Sequence, residues 1–135
     1  MKAVEIVEKM LSNDAFSKWL GIELVKVEPG LCELRMVTRS EMLNGFGILH
    51  GGISYSLADS ALAFAANANG NHTVSVETSI AHHTKVKENE VLIAVASAIA
   101  IQNKFSHYQV LIKNAEGMIV ASFKGTVYHS SKLWE

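Results

Sequence analysis

Eleven consecutive residues, Val91 to Ile101, carry no charge, and they constrain the fold of this 135-residue chain more than any other stretch. At strand period Val91, Ile93, Val95, Ile99 and Ile101 point to one face, and Leu92, Ala94, Ala96, Ala98 and Ala100 to the other. A strand apolar on both faces needs cover on both. The run is too short to span a membrane as a helix, which takes roughly 20 residues. One helix can cover one face of an antiparallel sheet, so a second subunit is the economical cover for the other.

The rest of the chain supplies the sheet and one candidate helix. Residues 72–81, 90–102, 105–113 and 118–128 read as strands, with Asn114-Ala115-Glu116-Gly117 as a hairpin turn between the last two. Residues 22–28 and 31–38 read as a hairpin about Glu28-Pro29-Gly30, which holds the only proline. In its second arm Leu34 and Met36 face one way, and Glu33, Arg35 and Val37 the other. Residues 3–11 predict a short amphipathic helix with Val4, Val7 and Leu11 on one side. From Gly51 to about Asn67 the chain is rich in alanine and free of proline, and Gly70 follows as a stop signal, which predicts a long helix. Ile53, Leu57 and Phe64 share one face of it, while Tyr55, Leu62 and Ala66 lie roughly opposite, so burial is expected on both sides. The expected fold is α+β: a single domain, 1–135, with an antiparallel sheet around one buried helix, in an oligomer.

Charge and composition remove several classes of function. The 12 basic and 13 acidic side chains are spread evenly, 6 and 8 over residues 1–70 and 6 and 5 over 71–135, so no nucleic-acid footprint exists. Apolar residues at 49% against 19% charged exclude general disorder. The N-terminal residues alternate charge with apolar side chains and lack the uninterrupted core of a signal peptide. The single cysteine, Cys32, cannot form an internal disulfide and reads as a small core residue, since no base is placed to activate it. A soluble cytoplasmic protein, without membrane or nucleic-acid partners, is expected.

Asp59 is the only Asp, Glu, Lys or Arg among the 35 residues from 42 to 76, and it lies near the midpoint of the helix on the Tyr55/Leu62/Ala66 side. That is too deep for an N-cap, and burying an unpaired carboxylate is costly. Burial raises its pKa unless donors stabilise the charge. A general base or nucleophile is one reading, and a satisfied polar residue in a subunit seam is the other. Asn44-Gly45-Phe46-Gly47-Ile48-Leu49-His50-Gly51-Gly52 runs straight into the helix start, where the first N–H groups lack intrahelical acceptors. That is an oxyanion hole in outline, each good donor contributing about 2.7–4 kcal/mol. A tight loop that needs glycine for its dihedrals, with His50 merely packing, is the alternative. His50 and Asp59 are nine residues apart, roughly 13 Å along a helix. If both serve one reaction, Asp59 comes from a neighbouring subunit. His72, His82 and His83 do not make a metal site, because adjacent strand residues face opposite ways and no Asp joins them.

Met42-Leu43-Asn44-Gly45, His50-Gly51-Gly52 and Ser56-Leu57-Ala58-Asp59, at their spacings, closely resemble the hotdog-fold acyl-CoA thioesterases of the phenylacetic acid degradation (PaaI) type. The resemblance runs from the first helix to the last strand and is densest over 42–70. It implies a sheet wrapped around a central helix and a homodimer with two composite sites, usually paired into a homotetramer. The implied substrates are aryl-acetyl or hydroxylated aryl-acetyl CoA thioesters, with medium acyl chains also in range. Asp59 resembles the catalytic carboxylate, Gly51 the backbone donor on the thioester carbonyl, and His50 the residue that orients that turn. Asn44 resembles the group that positions water or the opposing carboxylate, and Ser75 the serine that some relatives place beside the water. Gly52, Tyr55 and Lys104 are the implied substrate-binding residues. Lys104 stands in Asn103-Lys104, where relatives carry a Gly-Lys-like turn, and would meet a coenzyme A phosphate; an exposed strand-end lysine is the other reading. Tyr55, with Met42, Phe46 and Phe64, would line an acyl or aryl pocket, and all four are equally explained as core. Ile80-Ala81-His82-His83-Thr84-Lys85-Val86 departs from the aromatic-Leu-Arg-Pro stretch usual there, lacking the Arg-Pro pair. Coenzyme A leaves with the product, so no cofactor or metal is expected. A hotdog enoyl-CoA hydratase and a non-catalytic acyl-CoA sensor are the rival functions.

Overall fold

Turn residues divide the chain where the backbone must adopt positive φ. Gly30 (φ +79°) closes the first hairpin and its N–H reaches the carbonyl of Ala65, tying that turn to the central helix. Gly117 (φ +80°) closes the last, where the Asn114 side chain accepts from the Glu116 and Met118 N–H groups at 3.1 and 2.9 Å. The computed structural model describes all residues, Met1–Glu135. In chain order the elements are α1 (Ala3–Ser12), α2 (Ala15–Leu20), β1 (Glu23–Glu28), β2 (Leu31–Val37), a 3-10 turn (Ser40–Met42), α3 (Gly51–Asn67), β3 (Asn71–His82), β4 (Val91–Ile101), β5 (Phe105–Lys113) and β6 (Ile119–Leu133). The six strands form one antiparallel sheet in the order β1-β2-β4-β5-β6-β3. The α+β hotdog architecture implied by the resemblance is the one observed, with the sheet curled around α3.

The inner face of the sheet is one of the two faces that the strand period separates. Cys32, Leu34 and Met36 of β2, Leu92, Ala94 and Ala96 of β4, and Tyr108, Val110 and Ile112 of β5 are all fully buried. Small residues set the spacing. Ala58, Ala61 and Ala65 of α3 are as deeply buried as Ala94 and Ala96 of β4, and Gly125 of β6 leaves room for the helix, since a Cβ there would come within 2.6 Å of Leu62 Cδ2. Leu57 and Leu62 are also inaccessible, and burying such a side chain contributes about 1.5–3 kcal/mol. The Cys32 thiol is pushed up to about 12 by burial and by Glu33, which makes it inert, as its core position predicts.

The outer face of β4 remains apolar and uncovered in the single chain. Ile99 and Ile101 are 60% and 53% exposed, and Val91, Ile93 and Val95 are half-buried. No helix is long and apolar enough to cross a membrane.

Three elements depart from expectation. Helix α1 buries Ile6 and Val7, leaving Leu11 half-buried and Val4 41% exposed, because the helix turns its Ile6/Val7/Met10 side to the core. Helix α2 is additional, capped by Asp14, which accepts from the Ser17 N–H at 2.9 Å, and ended by Gly21 at φ +76°. Strand β6 continues past residue 128 to Leu133, still paired with β3. Helix α3 is buried on both expected sides, through Leu57 and Phe64 on one and Leu62 and Ala66 on the other, and Gly52, Ser56, Ser60 and Ala63 form a separate small-residue stripe that the sheet leaves accessible. Leu62 and Ala66 are fully buried, so Asp59 stands at the border between the core and that stripe.

Candidate active site

Helix α3 carries both halves of the candidate chemistry. Its N-terminus is built by the loop from Asn44. The Asn44 side-chain oxygen accepts from the Phe46 N–H at 2.9 Å and the Ile48 N–H at 3.4 Å, and its backbone pairs with Ile48 and Gly47. That leaves the Asn44 amide NH2 without an acceptor in the chain. His50 is the N-cap, and its Nδ1 accepts the Gly52 N–H at 2.8 Å. The Ile53 N–H goes to the His50 carbonyl at 2.9 Å. The Gly51 N–H therefore remains as the free donor at the positive end of the helix. Gly51 and Asn44 line one cavity of about 300 Å³ with His82, His83, Thr84 and Lys85.

Asp59 lies eight residues on, about 12 Å along the axis. Its carboxylate accepts no hydrogen bond within the chain, and burial pushes its pKa up from the ordinary carboxylate value. Two adjoining cavities, of about 300 and 250 Å³, meet at Asp59 and share Met10 of α1 and Ala63. Tyr55 lines the first, its hydroxyl hydrogen-bonded to Thr78 and its ring edge-on to Phe123 at 5.4 Å between centroids. Ser75 lines the second, which ends on Asn67, a buried amide that grips both backbone groups of Thr73 at 2.9 Å. None of the residues around Asp59 also lines the Gly51 cavity.

The residues singled out in the sequence thus fall into two groups within one chain. Asn44, His50, Gly51 and Gly52 gather at the start of α3, while Asp59, Ser75 and Tyr55 gather at its middle. Lys104 joins neither. It lies in the β4–β5 turn, on a cavity of about 460 Å³ with Asn69, Gln102 and His129 beyond the C-terminal end of α3. The histidines weighed as metal ligands are held apart in function: His72 stacks on Trp134 at 4.0 Å, and His83 Nε2 lies 2.7 Å from the Ser122 hydroxyl. His82 is the residue that sequence reading undervalued, for its ring sits against Gly51. The signal available was the departure of residues 80–86 from the aromatic-Leu-Arg-Pro stretch, without any hint of this neighbour.

The model of the thioesterase superfamily matches residues 46–121. The chain is 32% identical to the acyl-coenzyme A thioesterase PaaI of Escherichia coli K12 over 92% of its length and 89% of that protein's. The solved structure of E. coli PaaI superposes with a TM-score of 0.95 over 97% of this chain and 95% of that one. A mutant of the phenylacetic acid degradation protein PaaI from Thermus thermophilus, 30% identical, superposes at 0.83 over 87% of this chain and all of that one, 100%. Human acyl-coenzyme A thioesterase 13 is 29% identical over 90% of each chain.

Proposed function

The chain belongs to the thioesterase superfamily, and from that membership we propose the reaction it runs: hydrolysis of acyl-CoA thioesters to a free acid and coenzyme A. The substrates are aryl-acetyl or other small to medium acyl-CoA esters, and the enzyme works in the cytoplasm without metal or cofactor. The observation that carries this reading is the lone carboxylate of Asp59, in a cleft, unpaired and with a raised pKa, on the same helix whose first turn offers a free N–H.

The site is completed between two copies of the chain. Gly51 of one subunit binds the thioester carbonyl oxygen through its N–H, with His50 fixing that turn. Asp59 of the other subunit acts on the carbonyl carbon, either taking a proton from water as it attacks or adding directly. With water, the new C–O bond forms as Asp59 takes the proton, and negative charge collects on the oxygen held by Gly51. The C–S bond then breaks and the thiolate leaves, regaining a proton as thiol. A raised carboxyl pKa makes Asp59 a stronger base than an ordinary aspartate. Asn44, through its free amide, and Ser75 position the water. Gly52 and Tyr55 contact the acyl part, and Lys104 meets a coenzyme A phosphate. The dimers pair into a tetramer, which covers the apolar outer face of β4.

Thiol release is measured from phenylacetyl-, hydroxyphenylacetyl-, benzoyl-, hexanoyl- and palmitoyl-CoA, with wild type and Asp59→Asn side by side. Wild-type release from the smaller esters, abolished by Asp59→Asn in a folded oligomer, is the expected result. Equal rates for the two chains would sink the role of Asp59. Binding without release from any ester would replace the enzyme with a sensor.

A further inference from the structure

We propose that His82 is a second hydrogen-bond donor to the thioester carbonyl oxygen, acting beside the Gly51 N–H. The inference rests on the thioesterase reading and adds to it a residue that neither the family motif nor the spacing of the sequence points to.

The first observation is the shortage of donors. Of the leading N–H groups of α3, Gly52's is taken by the His50 ring and Ile53's by the His50 carbonyl, so the helix start supplies one. Developing charge on an oxyanion is best met by more than one fixed donor, and the second must come from a side chain. Of the polar side chains lining the same cavity, the Thr84 hydroxyl donates to the Ile119 carbonyl at 2.9 Å and His83 is engaged with Ser122. Asn44, whose free amide is assigned to the water, Ser54 and Lys85 also line it, and His82 is the one whose ring nitrogen lies against Gly51.

The second observation is where His82 lies. It is the last residue of β3 and pairs with Ala121, so its side chain lies on the same face of the sheet as that buried alanine, but exposed at the strand's end, where it borders the cavity. A Cβ on Gly51 would meet only this ring: 3.1 Å from Nε2, 3.3 Å from Cε1 and 3.9 Å from Cδ2. The His82 ring makes no hydrogen bond within the chain, and it faces the cavity that Gly51 lines.

Covalent geometry then limits how far apart the two donors can be. A Cβ stands about 2.5 Å from its own backbone nitrogen. With the 3.1 Å to Nε2, the Gly51 nitrogen and the His82 nitrogen are separated by at most about 5.6 Å. One oxygen at about 2.9 Å from each donor bridges up to about 5.8 Å. A single carbonyl oxygen therefore reaches both, with His82 in its Nε2–H tautomer. The same contact makes residue 51 a tight position: for a Cβ there, the His82 ring would have to give by a few tenths of an ångström.

The test separates a donor from a packing group. Kinetics of thiol release are measured on the fastest ester of the panel for wild type, His82→Phe and His82→Gln. Phe keeps the ring and loses the N–H, whereas Gln loses the ring and keeps an N–H. Donation predicts that Phe lowers kcat by roughly 10²–10³-fold with KM little changed, and that Gln restores much of the loss. A packing role predicts the opposite order. Wild-type kcat in the Phe variant, or a Gln variant no faster than Phe, would overturn the proposal. If Phe does not fold, judged by circular dichroism and melting, His82→Leu against His82→Asn makes the same comparison. An inactive wild type sinks the thioesterase reading and this one together, while an active wild type with an unimpaired Phe variant sinks this one alone.

Discussion

A single charge in a window of 35 residues is an expensive thing to keep, and Asp59 shows where the cost falls. Its carboxyl finds no donor, so burial alone acts on it and its folded-state pKa stands above the usual 3.8. Folding then favours the protonated form, and the penalty appears as pH rises past the ordinary carboxylate range. Asp59→Asn is therefore expected to melt above wild type at neutral pH, with the difference shrinking toward pH 4 as the wild-type carboxyl takes up its proton. Calorimetric scans at both pH values check this, and a lower melting temperature for Asn at neutral pH would contradict it. Asp59 was legible in the sequence because isolation of a charge is a one-dimensional property. His82 was not, because its contact with Gly51 joins residues 31 apart through the return of β3 alongside α3.

At the scale of the element, side-chain hydrogen bonds override the patterns that mark strand ends. Apolar alternation stops near Tyr128, yet β6 runs to Leu133, because Asn71 Nδ2 binds the Ser130 carbonyl at 2.9 Å and His129 is clamped on both ring nitrogens. The Thr73 hydroxyl donates to the Asn71 carbonyl, so its oxygen accepts from His129 Nδ1–H at 3.0 Å. The Ser106 hydroxyl, whose oxygen accepts the Gln102 N–H, lies 2.6 Å from Nε2 and in the neutral ring donates to it. Burial lowers the His129 pKa below its ordinary 6.5, which favours that neutral ring. The unfolded chain then binds more protons, so the stability from this contact is full above about pH 6.5 and declines as pH falls toward the folded-state value. Melting measured at pH 7.5 and 5.5 is expected to fall less for His129→Gln than for wild type; an equal fall would exclude His129 as the cause. Helix α2 was missed for a related reason. Its six residues are too few for periodicity, and only the Asp14 cap and Gly21 announce it.

At the scale of the whole molecule, two half-sites on one helix ask for a second chain. If Gly51 and Asp59 of different subunits act together, Asp59→Asn chains and Gly51→Pro chains, the latter lacking the N–H at a first helical position that tolerates proline, are each inactive alone and complement one another. Refolded as an equal mixture, half the dimers are mixed and each holds one intact site of two, which gives about a quarter of wild-type activity. Sites contained within one chain would give none. The sequence by itself determined the antiparallel sheet, the long helix, the need for cover on both faces of β4, and the identity of the lone carboxylate. Each of these is set by local periodicity or by the cost of burying charge, and both can be read along the chain. Tertiary structure alone decided that Asp59 and Ser75 share a cleft, that Gly51 lies under His82, and that Lys104 stands at the far end of α3. Those are distances between segments remote in sequence, and no period or propensity encodes them until the sheet closes around the helix.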